Sequence, residues 1–312
     1  MTGSAPLFSV ATPTRNSLAK LKRCVGSVRG QTGVTLEHLV QDALSTDGTA
    51  DWLAVQRVPA GDLRPASETD AGMYDAINKA WDRSRGRYLS WLNSDEQYLP
   101  STLARVHAFF EAHPHVDAMF ADYLVADEQG SAIALRREIP LRHFYVANSF
   151  LNAQSCTLFF RRALWDQGLL RLDSRLRYAA DKDMVLRLMG AGARFHHLPE
   201  VLSVFGVDGR NLSTHAGMAT EAEQVRRSHG GSRWAPVRAL AYGARRVERL
   251  VRGAYRPISL EYRFALDEVP HYARFRGVAL VGRYTLADTT GRAERVALDE
   301  STLPCVKYEE RA

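Results

Sequence analysis

Residues 86–96 read Gly-Arg-Tyr-Leu-Ser-Trp-Leu-Asn-Ser-Asp-Glu. Arg87–Asn93 is a short run of mixed apolar character, of strand length rather than helix length, and it ends in polar residues. A buried strand that stops at a polar cluster is the usual form in an open α/β sheet, whose ligand groups gather beyond the carboxyl ends of its strands. Working outward, Leu7–Thr12 is another apolar, β-branched run, which Pro13 should stop. Ser17–Arg29 carries Leu18, Leu21, Val25 and Val28 at helical spacing. Leu36–Gln41 reads as a strand, Ser45–Thr49 as a turn into a helix, and Asp75–Arg85 as a helix with Ile77 and Trp81 on one face. Thr102–Ala112 and Ala118–Val125 repeat the helix–strand alternation, which predicts βαβ units and a mainly parallel sheet flanked by helices. The polar clusters Thr12–Asn16, Asp42–Gly48 and Asn93–Glu96 should then meet on one sheet edge.

Further along, Ser155–Phe160 is expected as a strand, a helix follows from about Asp181, and Phe195–Leu198 is another strand. The character changes after Gly230. Between Arg226 and Arg276 twelve Arg face four acids, a balance of +8 in a chain of net charge +6, so the remainder carries −2. A helix over 233–256 would set Trp234, Val237, Leu240, Ala241, Ala244, Val247 and Val251 on one face and Arg mainly around the other. Such a basic amphipathic helix either lies on an anionic membrane surface or packs on the core with a solvated Arg face. The last fifty residues suggest short strands or loops.

Composition is that of an ordinary globular chain, with 46% apolar and 24% charged residues. No stretch is long and apolar enough to span a bilayer, and the first residues lack the pattern of a secretory signal. Cys24, Cys156 and Cys305 are too few and scattered for a disulfide framework or zinc site, so a reduced, cytoplasmic location is expected. No Gly-rich loop ends in Gly-Lys-Ser/Thr, which excludes a P-loop. The basic stretch lacks a stacking array of aromatics, and nucleic acid is not an expected partner.

Several carboxylates stand where chemistry could occur. Asn93-Ser94-Asp95 offers oxygen donors to a hard cation, Mg²⁺ or Mn²⁺, though such triplets also form turns and caps. Asp42, just past a strand, can accept from a nucleoside ring or ribose, or cap its loop. Asp70, Asp75 and Asn78 surround a helix entry, where Asp70 also suits the helix dipole. Asp181 and Asp183 flank Lys182 at another helix start; they are either dipole-matched carboxylates or hold a general base.

Taken together, the order of segments resembles the family 2 glycosyltransferases of the GT-A fold, in the branch with Asn-Ser-Asp in place of the D-x-D motif that decorates bacterial polysaccharides. The residues are SVATPTRN at 9–16, Asp42 with STDGT at 45–49, SETDAGMYDAINKAW at 67–81 and GRYLSWLNSDE at 86–96. AQSCTLFFRRAL at 153–164, LRYAADKDMVLRLMGAGARF at 176–195 and LPEVLSVF at 198–205 complete the series, which covers about residues 7–215. The resemblance implies a GT-A catalytic domain over 1–215 and a C-terminal extension over 216–312. It implies a hexosyltransferase-type enzyme taking a UDP-, GDP- or TDP-type sugar donor. The acceptor would be a glycan or a lipid-linked (polyprenyl) hydroxyl, and a peripheral position on the cytosolic membrane face would suit it. Thr12, Pro13, Thr14, Asn16 and Asp42 would hold the nucleotide, with Asp70, Asp75, Asn78, Asn93 and Ser94 helping to bind the donor. Asp95 would bind the metal, and Asp181 would deprotonate the acceptor in an inverting displacement, Asp183 being the fallback. This chain departs from the pattern at Asn93, at Ala43 and Leu44 where glycines are usual, and at Lys182 where an aromatic is usual.

Two readings compete. A nucleotidyltransferase would open with a Gly-rich basic loop, whereas Thr12–Asn16 has only Arg15. A non-catalytic, membrane-associated nucleotide-sugar-binding module would tolerate Asn93, against which stand Asp95 and Asp181.

Overall fold

The computed structural model describes residues 5–56, 62–208, 215, 217–266, 269–279, 291–295 and 307–309. Strand β1 (Phe8–Thr14) is flanked by β2 (Leu36–Asp42) and β4 (Tyr88–Trp91), both parallel to it, and β3 (Ala66–Ser67) adds to β2 in the same sense. Both faces of β1, β2 and β4 are buried, which is why they read as near-continuous apolar runs. Beyond β4 the sheet turns mixed. β8 (Phe159–Arg161) is antiparallel to β4 and to β6 (Ala118–Ala126); β9 (Phe195–Gly206) runs parallel to β6, and β5 (Glu96–Tyr98) closes the edge against β9. The order is β3-β2-β1-β4-β8-β6-β9-β5, with β7 (Ala132–Arg136) paired to β6.

Helices cover both faces. α1 (Leu18–Arg29) and α4 (Thr102–Ala112) bury Cys24, Val28, Val106 and Phe110 against Phe8, Tyr88 and Phe159. On the other face lie α3 (Met73–Asp82), α5 (His143–Asn148), α6 (Arg162–Asp166) and α7 (Ala180–Gly190). Trp81 meets Trp91 edge-on at 5.6 Å, and Trp91 stacks on Phe160 at 6.1 Å. α2 (Thr49–Gln56) packs Leu53 beside Val40. Large aromatic pairs of this kind add directional preference to burial.

Two local expectations are corrected. Pro13 does not stop β1, which runs on to Thr14. Pairing to β4 ends at Ala11–Trp91, so no partner demands an N–H from residue 13. The run 155–160 is not one strand: Ser155–Thr157 forms a 3-10 turn, because the Ser155 and Thr157 hydroxyls bond Glu96 and the Gln154 carbonyl, and the strand starts at Phe159.

The C-terminal part is packed on the sheet. α8 (Gly217–Ser228) inserts Val225 into the core on the α7 side. β10 (Ile258–Leu266), β11 (Val269–Gly277), β12 (Gly291–Arg295) and β13 (Lys307–Glu309) form a second, antiparallel sheet. Leu260, Tyr262 and Phe275 share one core with Leu124, Leu135 and Val204. The boundary expected near 215 adjoins residues outside the described set.

α9 (Ala235–Val251) is shorter than the expected 233–256, and it does not pack its apolar face on the core beneath a solvated Arg face. Ala241, Arg245 and Arg249 are buried, while Leu240, Val247, Leu250 and Val251 are exposed. The cause is Glu138, a buried carboxylate. Arg136 and Arg245 reach it at 3.0 and 3.1 Å. Arg249 donates to the Arg137 carbonyl at 2.7 Å, and the Arg245 guanidinium lies 3.7 Å over the Phe150 ring. Burial pushes the Glu138 carboxyl up, but the three guanidiniums outweigh it and hold it below the usual range. A buried charge left without such partners would be strongly unfavourable.

Candidate active site

The sheet order reverses between β1 and β4, and the carboxyl ends of β1, β2 and β4 share one edge. Thr14 stands beside Asp42 in register, and the Leu92 N–H donates to the Ala11 carbonyl (2.9 Å), which sets Asn93 at the same edge. A cleft at such a reversal is where open α/β sheets bind ligands.

Asp42 is buried and accepts from the Ser45 N–H (3.1 Å) and from the Ser67 hydroxyl (2.6 Å), with the Ser45 hydroxyl as a third donor. The following loop holds Leu44 at φ +52°, so left-handed backbone is kept at a non-glycine residue. Asn16 binds this loop to the one after β1: its N–H donates to Ser45 Oγ (2.7 Å) and its Oδ1 accepts from the Thr46 N–H (2.8 Å). The structure thus gives Asn16 a loop-stitching role. Thr12 points inward instead of toward the edge, its hydroxyl 2.8 Å from His38 Nε2 and close to Cys24. Burial, with Arg29 assisting, holds the His38 ring at about 3, so this contact is neutral and structural. Pro13 is buried in the strand and has no donor. Thr14 differs: its hydroxyl oxygen is buried and has no hydrogen-bond partner among the described residues.

Asp70 and Asp75 shape the entry of α3. The Gly72 N–H donates to Asp70 (2.9 Å) and the Ala71 N–H to Asp75 (3.0 Å), while Gly72 adopts φ +125°, open only to glycine. Burial, opposed by the Gly72 N–H and reinforced by Asp75, raises the Asp70 carboxyl. Asn78 is turned away from this edge: its amide both donates to and accepts from the backbone of Leu172, at 2.8 and 3.0 Å. Both ends being engaged, Asn78 acts as a clip, which corrects its expected donor contact.

Asn93, Ser94 and Asp95 form the turn between β4 and β5. Glu96 anchors it from below, accepting from the Asn93 N–H (2.8 Å) and from the hydroxyl of Ser155. Burial, and next the charge of Asp95, push the Glu96 carboxyl up to about 8. Asn93 Oδ1 is buried and has no hydrogen-bond partner among the described residues. Asp95 is half-buried, its carboxyl raised by burial, with Lys20 opposing the shift. Lys20 itself pairs with Asp208 at the end of β9. Gly206 is required here, since a Cβ would lie 2.3 Å from the Asp95 carbonyl oxygen. Among the described residues no three ligating side chains form a cluster. The partnerless Asn93 oxygen and the Asp95 carboxylate nevertheless fit a divalent cation that takes its remaining ligands from phosphates, as Mg²⁺ commonly does. When bound, such a cation would neutralise charge on a departing diphosphate.

Asp181 lies in the first turn of α7, accepting from the Lys182 N–H (2.8 Å) and facing the Tyr74 hydroxyl at 3.5 Å. Burial raises its carboxyl, against the Lys182 N–H. Asp183, the expected fallback, is engaged on both oxygens, by Arg187 and by His229, each at 2.8 Å. Its role as a base is therefore not supported. α7 has no side-chain N-cap of its own. Instead Glu221 of α8 accepts the N–H groups of Arg177, Tyr178 and Ala179 at 2.8, 2.7 and 3.2 Å. Lys182 is buried and donates to the Ser149 carbonyl (3.1 Å).

Glu221, His229, Lys20 and Asp208 were not legible as site residues. They come from α1, from just beyond β9 and from α8 with the residue after it, and none carries a local motif. Ser45 lay inside the quoted STDGT, and Ser67 opened its own segment, which was the available signal.

An open α/β sheet with oxygen donors at its reversal point and a buried carboxylate opening a neighbouring helix is an arrangement suited to a transferase. The chain belongs to glycosyl transferase family 2, whose profile matches residues 9–168, about half its length. It is 33% identical over 190 residues to a PGL/p-HBAD biosynthesis glycosyltransferase of Mycobacterium bovis, covering 59% of this chain and 70% of the relative. It is 36% identical over 108 residues to the putative teichuronic acid biosynthesis glycosyltransferase TuaG of Bacillus subtilis, covering 34% and 42%. Among solved structures, S. aureus TarS 1–349 in complex with UDP-GlcNAc superposes with TM-score 0.56 at 19% identity, over 70% of this chain and 64% of TarS 1–349, less than two thirds. The mannosyltransferase PcManGT of Pyrobaculum calidifontis, in complex with GDP-Man and Mn²⁺, does so with TM-score 0.56 at 18% identity, over 79% and 76%. The protein is thus a glycosyltransferase, and the nucleotidyltransferase and non-catalytic readings fall away. No helix among the described residues is long and apolar enough to cross a membrane.

Proposed function

We propose that the protein transfers a sugar, with inversion, from a nucleotide-diphosphate sugar of UDP, GDP or TDP type to a hydroxyl of a glycan or lipid-linked acceptor in the cytoplasm. Asp181 is the base. It supports this reading because it is the carboxylate opening α7 that is not locked into an ion pair, and because burial raises its proton affinity. One base serves a single displacement at the anomeric carbon, and general bases of this kind contribute on the order of 10²–10⁴ in rate. Asp42, with the Thr14 hydroxyl, holds the nucleoside; Asp95 and the Asn93 oxygen hold Mn²⁺ or Mg²⁺ at the diphosphate. Asp70, Asp75 and Ser94 line the donor side. The solved neighbours bound to UDP-GlcNAc and to GDP-Man with Mn²⁺ make those donors the first to try.

The test is a thermal-shift and calorimetry series with UDP-, GDP- and TDP-sugars, each with Mn²⁺ or EDTA. One donor should raise the midpoint, by mass action, only when metal is present. Asp95→Ala should abolish that metal dependence. Asp181→Asn should keep donor binding and lose transfer by roughly 10²-fold or more. Unchanged turnover in Asp181→Asn would remove it from the role.

A further inference from the structure

Six of the nine exposed large hydrophobic residues among the described residues belong to α9, to the residue before it or to α5 packed against it: Phe144, Trp234, Leu240, Val247, Leu250 and Val251. Phe144 belongs to α5, against which α9 packs, and Trp234 immediately precedes α9. At about 100° per residue, Leu240, Val247 and Val251 fall within a narrow arc of the helix. Gly243 and Ala244 lie between them and leave a shallow groove, rimmed by Tyr145 and Arg252.

The stripe has no means of turning inward. The opposite face of α9 is pinned by Arg245 on Glu138 and by Arg249 on the Arg137 carbonyl. The helix therefore shows water its apolar side and keeps two of its arginines inside. On and beside α9, Arg233, Arg246, Arg252 and Arg256 are exposed, Arg252 at the groove itself, while Arg238 pairs with Glu223 at 3.7 Å. The acid of this helix, Glu248, is taken up by Arg142 and Arg252 at 2.7 and 3.0 Å.

We infer that the outward face of α9, with Trp234 at its head and the exposed arginines on and beside it, docks on an anionic lipid bilayer. An apolar stripe with cations beside it matches the boundary between acyl chains and anionic headgroups, where apolar burial and electrostatic attraction add. A second copy of the chain fits less well, because a two-fold contact through this face would bring exposed arginines together.

The face is also connected to the site. The Ser232 N–H, just before α9, donates to Asn148 Oδ1 (2.7 Å), and the next residue, Ser149, receives the Lys182 ammonium beside Asp181. A bilayer under α9 would hold a lipid-linked acceptor near the base. That consequence rests on the transferase reading; the docking does not.

Flotation of the full chain with vesicles tests it without any activity readout. The probes are phosphatidylcholine alone and phosphatidylcholine with phosphatidylglycerol. Binding to the anionic vesicles, weakened by salt, is expected. The double variant Leu240→Glu/Val247→Glu should lower it roughly tenfold or more while keeping the wild-type melting midpoint, since both side chains are exposed. Failure to float with either vesicle, or flotation unchanged in the variant, overturns the inference. A dimer by light scattering that the variant splits, with no flotation, also overturns it and assigns the face to a second copy.

Discussion

Replacing Glu96 by glutamine should stabilise the protein at neutral pH, increasingly so as pH rises from acid. Glu96 is fully buried, and burial with the neighbouring Asp95 charge lifts its carboxyl from 4.5 to about 8. Between those limits the folded chain keeps a proton that the unfolded chain has released. The stability this group contributes is therefore complete below about pH 4.5 and is lost as pH climbs toward 8. Each pH unit in that window costs about a factor of ten in the folding equilibrium, so by pH 7 the loss reaches roughly 3 kcal/mol. Glutamine keeps an oxygen for the Asn93 N–H and does not titrate. The assay is urea unfolding of both proteins at several values from pH 5 to 9, followed by tryptophan fluorescence. The gap between variant and wild type should widen up to about pH 8 and then level off. A gap that stays constant would mean that Glu96 is charged in the fold, refuting the burial argument for this turn.

Three further outcomes are expected. Leu44→Gly should be more stable than Leu44→Ala by about 1 kcal/mol in urea unfolding, reversing the usual order, because the +52° backbone at this position penalises any Cβ. Arg245→Met should cost roughly 3 kcal/mol, as the buried Glu138 loses one counter-charge and α9 loses its ring contact with Phe150. Glu221→Gln should cost about 1–2 kcal/mol by weakening three charge-assisted bonds, and kinetics should show a lower kcat with donor affinity intact.

The parallel half of the sheet was legible because its strands are buried on both faces and its helices keep a regular apolar spacing. Pro13 misled because a proline normally ends a ladder, whereas here the ladder toward β4 had already ended. For the polar groups, local sequence indicates which element carries a side chain, but not what the chain folds against it. Thr12 meets His38 from another strand, Asn78 meets Leu172, and Asp183 meets His229, each across many residues. For α9, the alternative that packed it on the core beneath a solvated Arg face failed for the same reason. Hydropathy counted its arginines as outward, and nothing near them in sequence announced the buried Glu138 to which they turn.

The clamp that α8 places on α7 bears on how the chain could be cut or recombined. The family profile stops at residue 168, and a catalytic piece ended near residue 215 would look complete by its sheet alone. It would lack Glu221 and His229, and with them the support of the turn and carboxylate beside Asp181. Splice points for chimeras, and comparisons of specificity among relatives, therefore belong after His229, with α8 inherited together with the helix start it steadies.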